Sequence, residues 1–157
     1  MVETLAREEK ILGIDLGGTK LRIALSNPEG EFITETEERL EIKPDRTISD
    51  IIIGKIKSLI GKIGIEMEEI EGIGIASTGP LDIEKGELIE PSNLPYDKVP
   101  LKKPIENELH VPVRLLNDCT AAVLGEKRFG AGRDKEIEDI VYINIGTGIG
   151  GGVIVDG

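Results

Sequence analysis

Gly13-Ile-Asp-Leu-Gly-Gly-Thr-Lys20 is the stretch that decides how this chain is read. Its spacing nearly matches the phosphate loop that closes on Lys followed by Ser or Thr and then opens a helix. Here the closing pair is reversed, Thr19-Lys20, and the next residues, Leu21-Arg-Ile-Ala-Leu-Ser26, read as a strand. A second segment, Ile145-Gly-Thr-Gly-Ile-Gly-Gly-Gly152, fits the dinucleotide fingerprint by letter through Gly146, Gly148 and Gly151. That fingerprint also needs a following helix, whereas Val153-Ile-Val155 is short and β-branched. Both segments are therefore strand–turn–strand units. Glycine lets a backbone pass close to a bound phosphate and present its N–H groups, so each turn reads as a cradle for phosphate oxygens. The competing reading for either is an ordinary hairpin turn.

Working outward, 11–16, 21–26 and 31–35 form three strands in an antiparallel meander, with Asn27-Pro-Glu-Gly30 as a turn. Thr47 and Ser49 are N-cap candidates for a helix reaching about Lys62. Its residues Ile48, Ile52, Ile56, Leu59 and Ile63 keep helical spacing and are expected to face the sheet. A buried strand follows at 70–76. Residues 77–100, rich in Pro, Gly and acids, read as a long loop, and loops of that length are usually functional. A short helix at 101–109, a strand at 113–116 and a helix at 118–129 capped by Asn117 or Asp118 come next. Gly130-Ala-Gly-Arg-Asp134 is a linker, and strands at 140–145 and 152–155 flank the second glycine turn. The order is β-β-β-α-β-α-β-α and then the first hairpin of a second copy. Two such halves facing each other would set the two glycine turns across a cleft.

Composition narrows the function classes. The 157 residues can bury one ordinary core. A formal net charge of −11 argues against nucleic acid and anionic membrane surfaces as partners. No apolar run reaches the ~18 residues of a membrane span, and Met1 to Lys10 is too polar for a signal peptide. One cysteine, Cys119, excludes an internal disulfide, and with His110 as the single histidine no internal zinc site is expected. A reduced, cytoplasmic protein is the expectation. The chain holds 25 Ile and no Gln, a bias common in proteins from hyperthermophiles.

Four segments, in order, resemble the ROK family of sugar kinases within the actin-like ATPase superfamily. They are Gly13–Lys20, Gly72-Ile-Gly-Ile-Ala-Ser-Thr-Gly-Pro-Leu-Asp82, Leu116-Asn-Asp-Cys-Thr-Ala-Ala-Val-Leu-Gly-Glu126 and Gly146-Thr-Gly-Ile-Gly-Gly-Gly152. Asn93-Leu94 matches a further element. The resemblance implies an α/β chain with a ribonuclease H-like, actin-like ATPase domain at 1–132. A linker and the first hairpin of a similar second domain follow at 133–157. Members of the family run to roughly twice this length, and their second half carries a Gly-His motif, a sugar-contacting Glu and His and usually a cysteine-rich zinc site. This sequence resembles the N-terminal part of such a kinase, and the 157-residue chain alone is expected to be inactive.

The chemistry implied is transfer of the γ-phosphoryl of ATP, with Mg²⁺, to a hexose hydroxyl. Asp118, where a strand gives way to a helix, is the candidate base that takes the hydroxyl proton, or alternatively just a cap. The family places a sugar contact at Asn117, whose amide can both donate and accept. Asp15 would hold Mg²⁺ through water, since a carboxylate inside an apolar strand is costly unless it meets a cation. Gly17, Gly18 and Thr19, with Lys20 as a possible reach, would meet the phosphates from one side and Gly146, Thr147 and Gly148 from the other. Gly79 and Asn93 are sugar-side candidates that plain turns would also explain. Cys119, His110 and the acidic run Glu66-Met-Glu-Glu69 read as packing, helix end and solvated face.

Expected partners are thus ATP and a hexose, with O6 of glucose first and N-acetylmannosamine or fructose as alternative acceptors. A sugar-sensing regulator of the same family is the alternative of another class. Such regulators carry a DNA-binding domain before the core, whereas about ten residues precede the first strand here. A third reading is a non-catalytic fragment that associates, as a dimer, through the apolar edge of the hairpin at 141–155.

Overall fold

The computed structural model describes residues 9–42, 45–91, 94–146 and 148–157. Three antiparallel strands open the fold: β1 (Lys10–Leu16), β2 (Lys20–Ser26) and β3 (Phe32–Arg39). Their register sets Asp15 opposite Arg22 and Arg22 opposite Glu37. The β2–β3 turn closes with the Gly30 N–H donating to the Asn27 carbonyl at 3.1 Å, Gly30 standing at φ 86° where only glycine is comfortable. Helix α1 (Ile48–Ile63) begins with a capping box. The Asp50 amide donates to Thr47 Oγ1 at 3.1 Å, and the Thr47 amide donates to Asp50 Oδ2 at 3.0 Å. The helix ends at left-handed Gly64. Of the two cap candidates Thr47 is the cap; Ser49 is buried and donates to the Pro100 carbonyl.

After a single turn of 3-10 helix (Met67–Glu69), β4 (Ile70–Ser77) runs parallel to β1. Residues expected as one loop instead hold a small antiparallel sheet, β5 (Leu81–Asp82), β6 (Glu87–Ile89) and β7 (Lys98–Pro100). Leu88 and Val99 anchor it in the core, and Gly86 (φ 70°) forms its first turn. Strands of two or three residues are too short to show a periodicity. Then come α2 (Lys102–Leu109), β8 (Val113–Asn117), α3 (Asp118–Phe129), β9 (Ile140–Ile145) and β10 (Ile149–Ile154). The main sheet has the order β3-β2-β1-β4-β8.

Two compact units divide the chain between Leu115 and Leu116, within β8. The expectation drew its domain boundary after Gly132. In the first unit one apolar cluster joins Leu12, Ile14, Ile23, Ile75 and Val113 from the sheet to Ile52 and Ile56 of α1 and Ile105 of α2. Ile63 does not join it: at the last turn of α1 it is 38% exposed, so the buried stripe ends with Leu59 and Ile60. The second unit is α3 packed on the β9–β10 hairpin, with Cys119 and Val123 buried. The hairpin's other face carries Val141, Ile143, Ile145, Ile149 and Val153, between 63% and 83% exposed. The apolar exposure expected of this hairpin is present, on a face as well as at the edges.

Candidate active site

In the first unit the candidate residues gather at the carboxyl ends of the parallel pair β1 and β4. The register pairs Asp15 with Ala76 and Leu16 with Ser77. Buried Ser77 donates its hydroxyl to the Leu16 carbonyl at 2.9 Å, which fixes the strand ends from which both the glycine turn and Gly79 depart. The turn Gly17-Gly18-Thr19 is closed by the Gly17 N–H donating to the Lys20 carbonyl at 2.9 Å, and the Leu40 N–H donates to the Thr19 carbonyl at 2.8 Å. A side chain on Gly17 would meet the Lys20 carbonyl at 3.4 Å, so the closure is tight. Gly79 is exposed and joined to Pro80 by a cis peptide bond.

Asp15 differs from the expectation in its surroundings. The alternation of β1 puts Leu12, Ile14 and Leu16 into the core and Asp15 on the exposed face. The cost of burying its carboxylate therefore does not arise; across the strand pair the Arg22 guanidinium is raised first by its hydrogen bond and charge contact with Glu37, with Asp15 the smallest contributor. An exposed carboxylate beside a glycine turn is the donor type that suits Mg²⁺, a cation that keeps waters and takes one or two carboxylates along with substrate phosphates. Among the described residues no cluster of three or more His, Cys, Asp or Glu could hold a metal by itself.

Lys20 opens β2 with its ammonium on Glu37 Oε1 at 2.7 Å. The same carboxylate takes Arg22 through Nη2 at 2.6 Å and Nε at 3.1 Å. The Lys20 hydrogen bond, then that of Arg22, holds the Glu37 carboxyl below its ordinary range. A phosphate reaching for Lys20 has to compete with Glu37. Thr19 and Lys20 also line a surface cavity of about 420 Å³ with Glu37, Glu38 and Arg39. A cavity of about 550 Å³ adjoins it, sharing Glu38 and Arg39 and extending to Ile51, Gly54 and Lys55 of α1, and is lined by none of the candidate residues.

In the second unit Asn117 is the N-cap of α3 and Asp118 its first residue. Asn117 Oδ1 accepts from the Cys119 amide at 3.0 Å and the Thr120 amide at 3.4 Å, and Asp118 Oδ1 accepts from the Cys119 amide at 2.8 Å. The capping role that competed for Asp118 is thus filled by Asn117. A half-buried carboxylate at the positive end of a helix, oriented by a backbone amide, can accept a proton from a substrate hydroxyl. The Cys119 thiol is pushed up by burial, then by Asp118, which suits packing rather than nucleophilic work.

The second glycine segment divides in two. Gly146 and Gly148 flank the turn, closed by the Gly146 N–H donating to the Gly148 carbonyl at 2.9 Å. Side chains built on either would meet nothing within 4 Å, so no packing demand explains glycine there. Gly150 and Gly151, expected in the turn, lie in β10 together with Gly152, and Gly150 and Gly152 pack on α3. Thr147 and Asn93 lie outside the described residues.

The ROK family model matches residues 11–157. The glucokinase of Thermotoga maritima is 35% identical over 149 residues, covering 94% of this chain and 45% of that protein. The xylose repressor of Caldicellulosiruptor bescii is 33% identical over 147 residues, covering 93% of this chain and 36% of that protein. Among solved structures, a ROK family glucokinase from Streptomyces griseus in complex with glucose and AMPPNP superposes with a TM-score of 0.74 at 29% identity. That match covers 94% of this chain and 45% of the other. The chain thus spans less than half the length of these relatives, in the actin-like ATPase fold of the ROK sugar kinases.

Proposed function

From the premise that the chain belongs to the ROK family, we propose that it is the first half of an ATP-dependent sugar kinase. It would transfer the γ-phosphoryl of ATP to a hexose hydroxyl, O6 of glucose first, with N-acetylmannosamine or fructose as alternatives. One observation carries this reading: a single compact unit holds both the amide-oriented Asp118 carboxylate and a glycine turn with open space around it. The Streptomyces griseus relative, which binds glucose and AMPPNP, supports the choice of hexose and nucleotide.

In this reading Asp118 takes the proton of the attacking hydroxyl as its oxygen bonds to phosphorus, and Asn117, with Gly79 and Asn93, holds the sugar. Gly17, Gly18, Thr19 and Lys20 in the first unit, and Gly146, Thr147 and Gly148 in the second, are each a candidate phosphate contact. Asp15 would hold Mg²⁺ through water, and the ion would neutralise charge on the transferring group. In this reading the first actin-like domain would extend to Gly132 and residues 133–157 would begin the second, whereas the compact units divide earlier, between Leu115 and Leu116. The exposed face of β9–β10 drives self-association to a dimer when nothing else covers it. A cleft closed on one side admits water, so the 157-residue chain alone turns over little sugar.

The family's repressors share this fold, and the Caldicellulosiruptor bescii repressor is as similar as the kinases. Sugar-dependent ADP release from Mg-ATP separates the two readings. A panel of glucose, mannose, fructose, N-acetylglucosamine and N-acetylmannosamine is run on this chain and on one extended with a relative's second half. Release by the extended chain with one sugar supports the kinase and names its acceptor. Sugar binding without release by that chain favours the regulator. Release by the 157-residue chain alone would overturn the half-cleft argument.

A further inference from the structure

Gly150 and Gly152 alternate with exposed Gly151 and Val153, so they point to the face of β10 that packs on α3. Neither has a left-handed φ, so the backbone does not demand glycine at either. Space does. A Cβ on Gly150 would stand 2.6 Å from Cys119 Sγ. A Cβ on Gly152 would collide with the Cys119 carbonyl oxygen and come within 2.9 Å of Cys119 C and Val123 Cγ1. Cys119 is in turn the joint of the candidate site. Its buried amide donates to Asn117 Oδ1 and Asp118 Oδ1, while its thiol and carbonyl fill the notch in β10.

We propose that Gly150 and Gly152 are positioning residues: they form a notch that locks Asn117, Asp118 and Cys119 to β10. The hairpin bearing Gly146 and Gly148 and the helix bearing Asp118 then move as one body. A nucleotide phosphate seated on the hairpin would thereby place the carboxylate. That last step rests on the kinase reading; the lock itself does not. The glycine run thus has two tasks, an open turn for a ligand at its start and a packing notch at its end.

The two contacts differ in what can yield. The Gly150 contact is with a thiol, which Cys119→Ala removes. The Gly152 contact is with the Cys119 backbone and with Val123, neither of which Cys119→Ala removes. Amide hydrogen exchange and the Asp118 carboxyl ¹³C resonance are followed in the 157-residue chain. In Gly150→Ala, exchange at Cys119 and Thr120 should accelerate about tenfold or more and the Asp118 resonance should move, with the Ile14 and Ile23 amides unchanged. Adding Cys119→Ala should restore both signals. Gly152→Ala should act in the same way and should not be restored by Cys119→Ala. The lock is overturned if Gly150→Ala leaves the Asp118 resonance in place, or if the double variant shows no recovery. If Gly152→Ala fails to fold, the Gly150 pair decides alone. Because no ligand is present, a lock that passes in a protein without sugar-dependent ADP release would sink the kinase reading only.

Discussion

The first glycine turn joins strands whose inward residues Leu12, Ile14, Leu21 and Ile23 are at most 4% exposed. The second joins strands packed on one face by α3 and bare on the other. A closed turn needs only a local hydrogen bond, and both have one, Gly17 to Lys20 and Gly146 to Gly148. What holds the turn in place is a separate matter. The first is fixed by a five-stranded sheet and its helices, and the second by a notch against one helix. A motif can therefore be complete in sequence while one face of the strands that carry it is bare.

The comparison breaks most readily where chemistry is assigned to one unit. In the chain extended with a relative's second half, Asp118→Asn should lower turnover by about 10²–10⁴-fold and leave sugar affinity nearly unchanged. Steady-state ADP release and calorimetric sugar titration read the two effects. Next in size is the contrast in packing. Leu12→Ala should cost about 2–5 kcal/mol in urea unfolding, because Leu12 is fully enclosed. Val153→Thr, on the bare face, should stay within about 0.5 kcal/mol. Equal costs would mean that something covers the hairpin.

A subtler probe is association. Ile143→Lys with Ile149→Lys should shift the 157-residue chain toward monomer in sedimentation, since both residues sit on the exposed face. An unchanged distribution would place any dimer contact elsewhere. The smallest effect belongs to the Lys20–Glu37–Arg22 group. Glu37 has a folded-state carboxyl held below its ordinary range, so its contribution is present above the unfolded-state value. That contribution is lost as pH falls through the depressed value. Glu37→Gln should flatten this acid limb of the urea midpoint at low salt and change little at high salt, where exposed pairs are screened.

Much of this was legible in the residues. The strands β1, β2 and β4 are legible as apolar runs, helical spacing gives α1, and Thr47 is one of two cap candidates at its start. The small sheet β5–β7 escaped because its strands are two or three residues long, although Gly86 between Asp82 and Glu87 is a hairpin signal. Gly150 and Gly151 read as turn because glycine has low strand propensity. Only the position of Cys119 reveals why Gly150 and Gly152 stand in a strand. Asp15 was placed on the right strand, but which face of that strand is wet depends on what packs against it, and that is a tertiary fact.

The most direct test of the central claim sets four samples side by side with Mg-ATP and the sugar panel. They are this chain, this chain joined to the part of the Thermotoga maritima glucokinase it does not cover, and the Asp118→Asn form of each. The account predicts sugar-dependent ADP release from the joined chain alone, lost on Asp118→Asn with sugar binding kept. Turnover that survives Asp118→Asn, or a joined chain that binds sugar and releases no ADP, would contradict it.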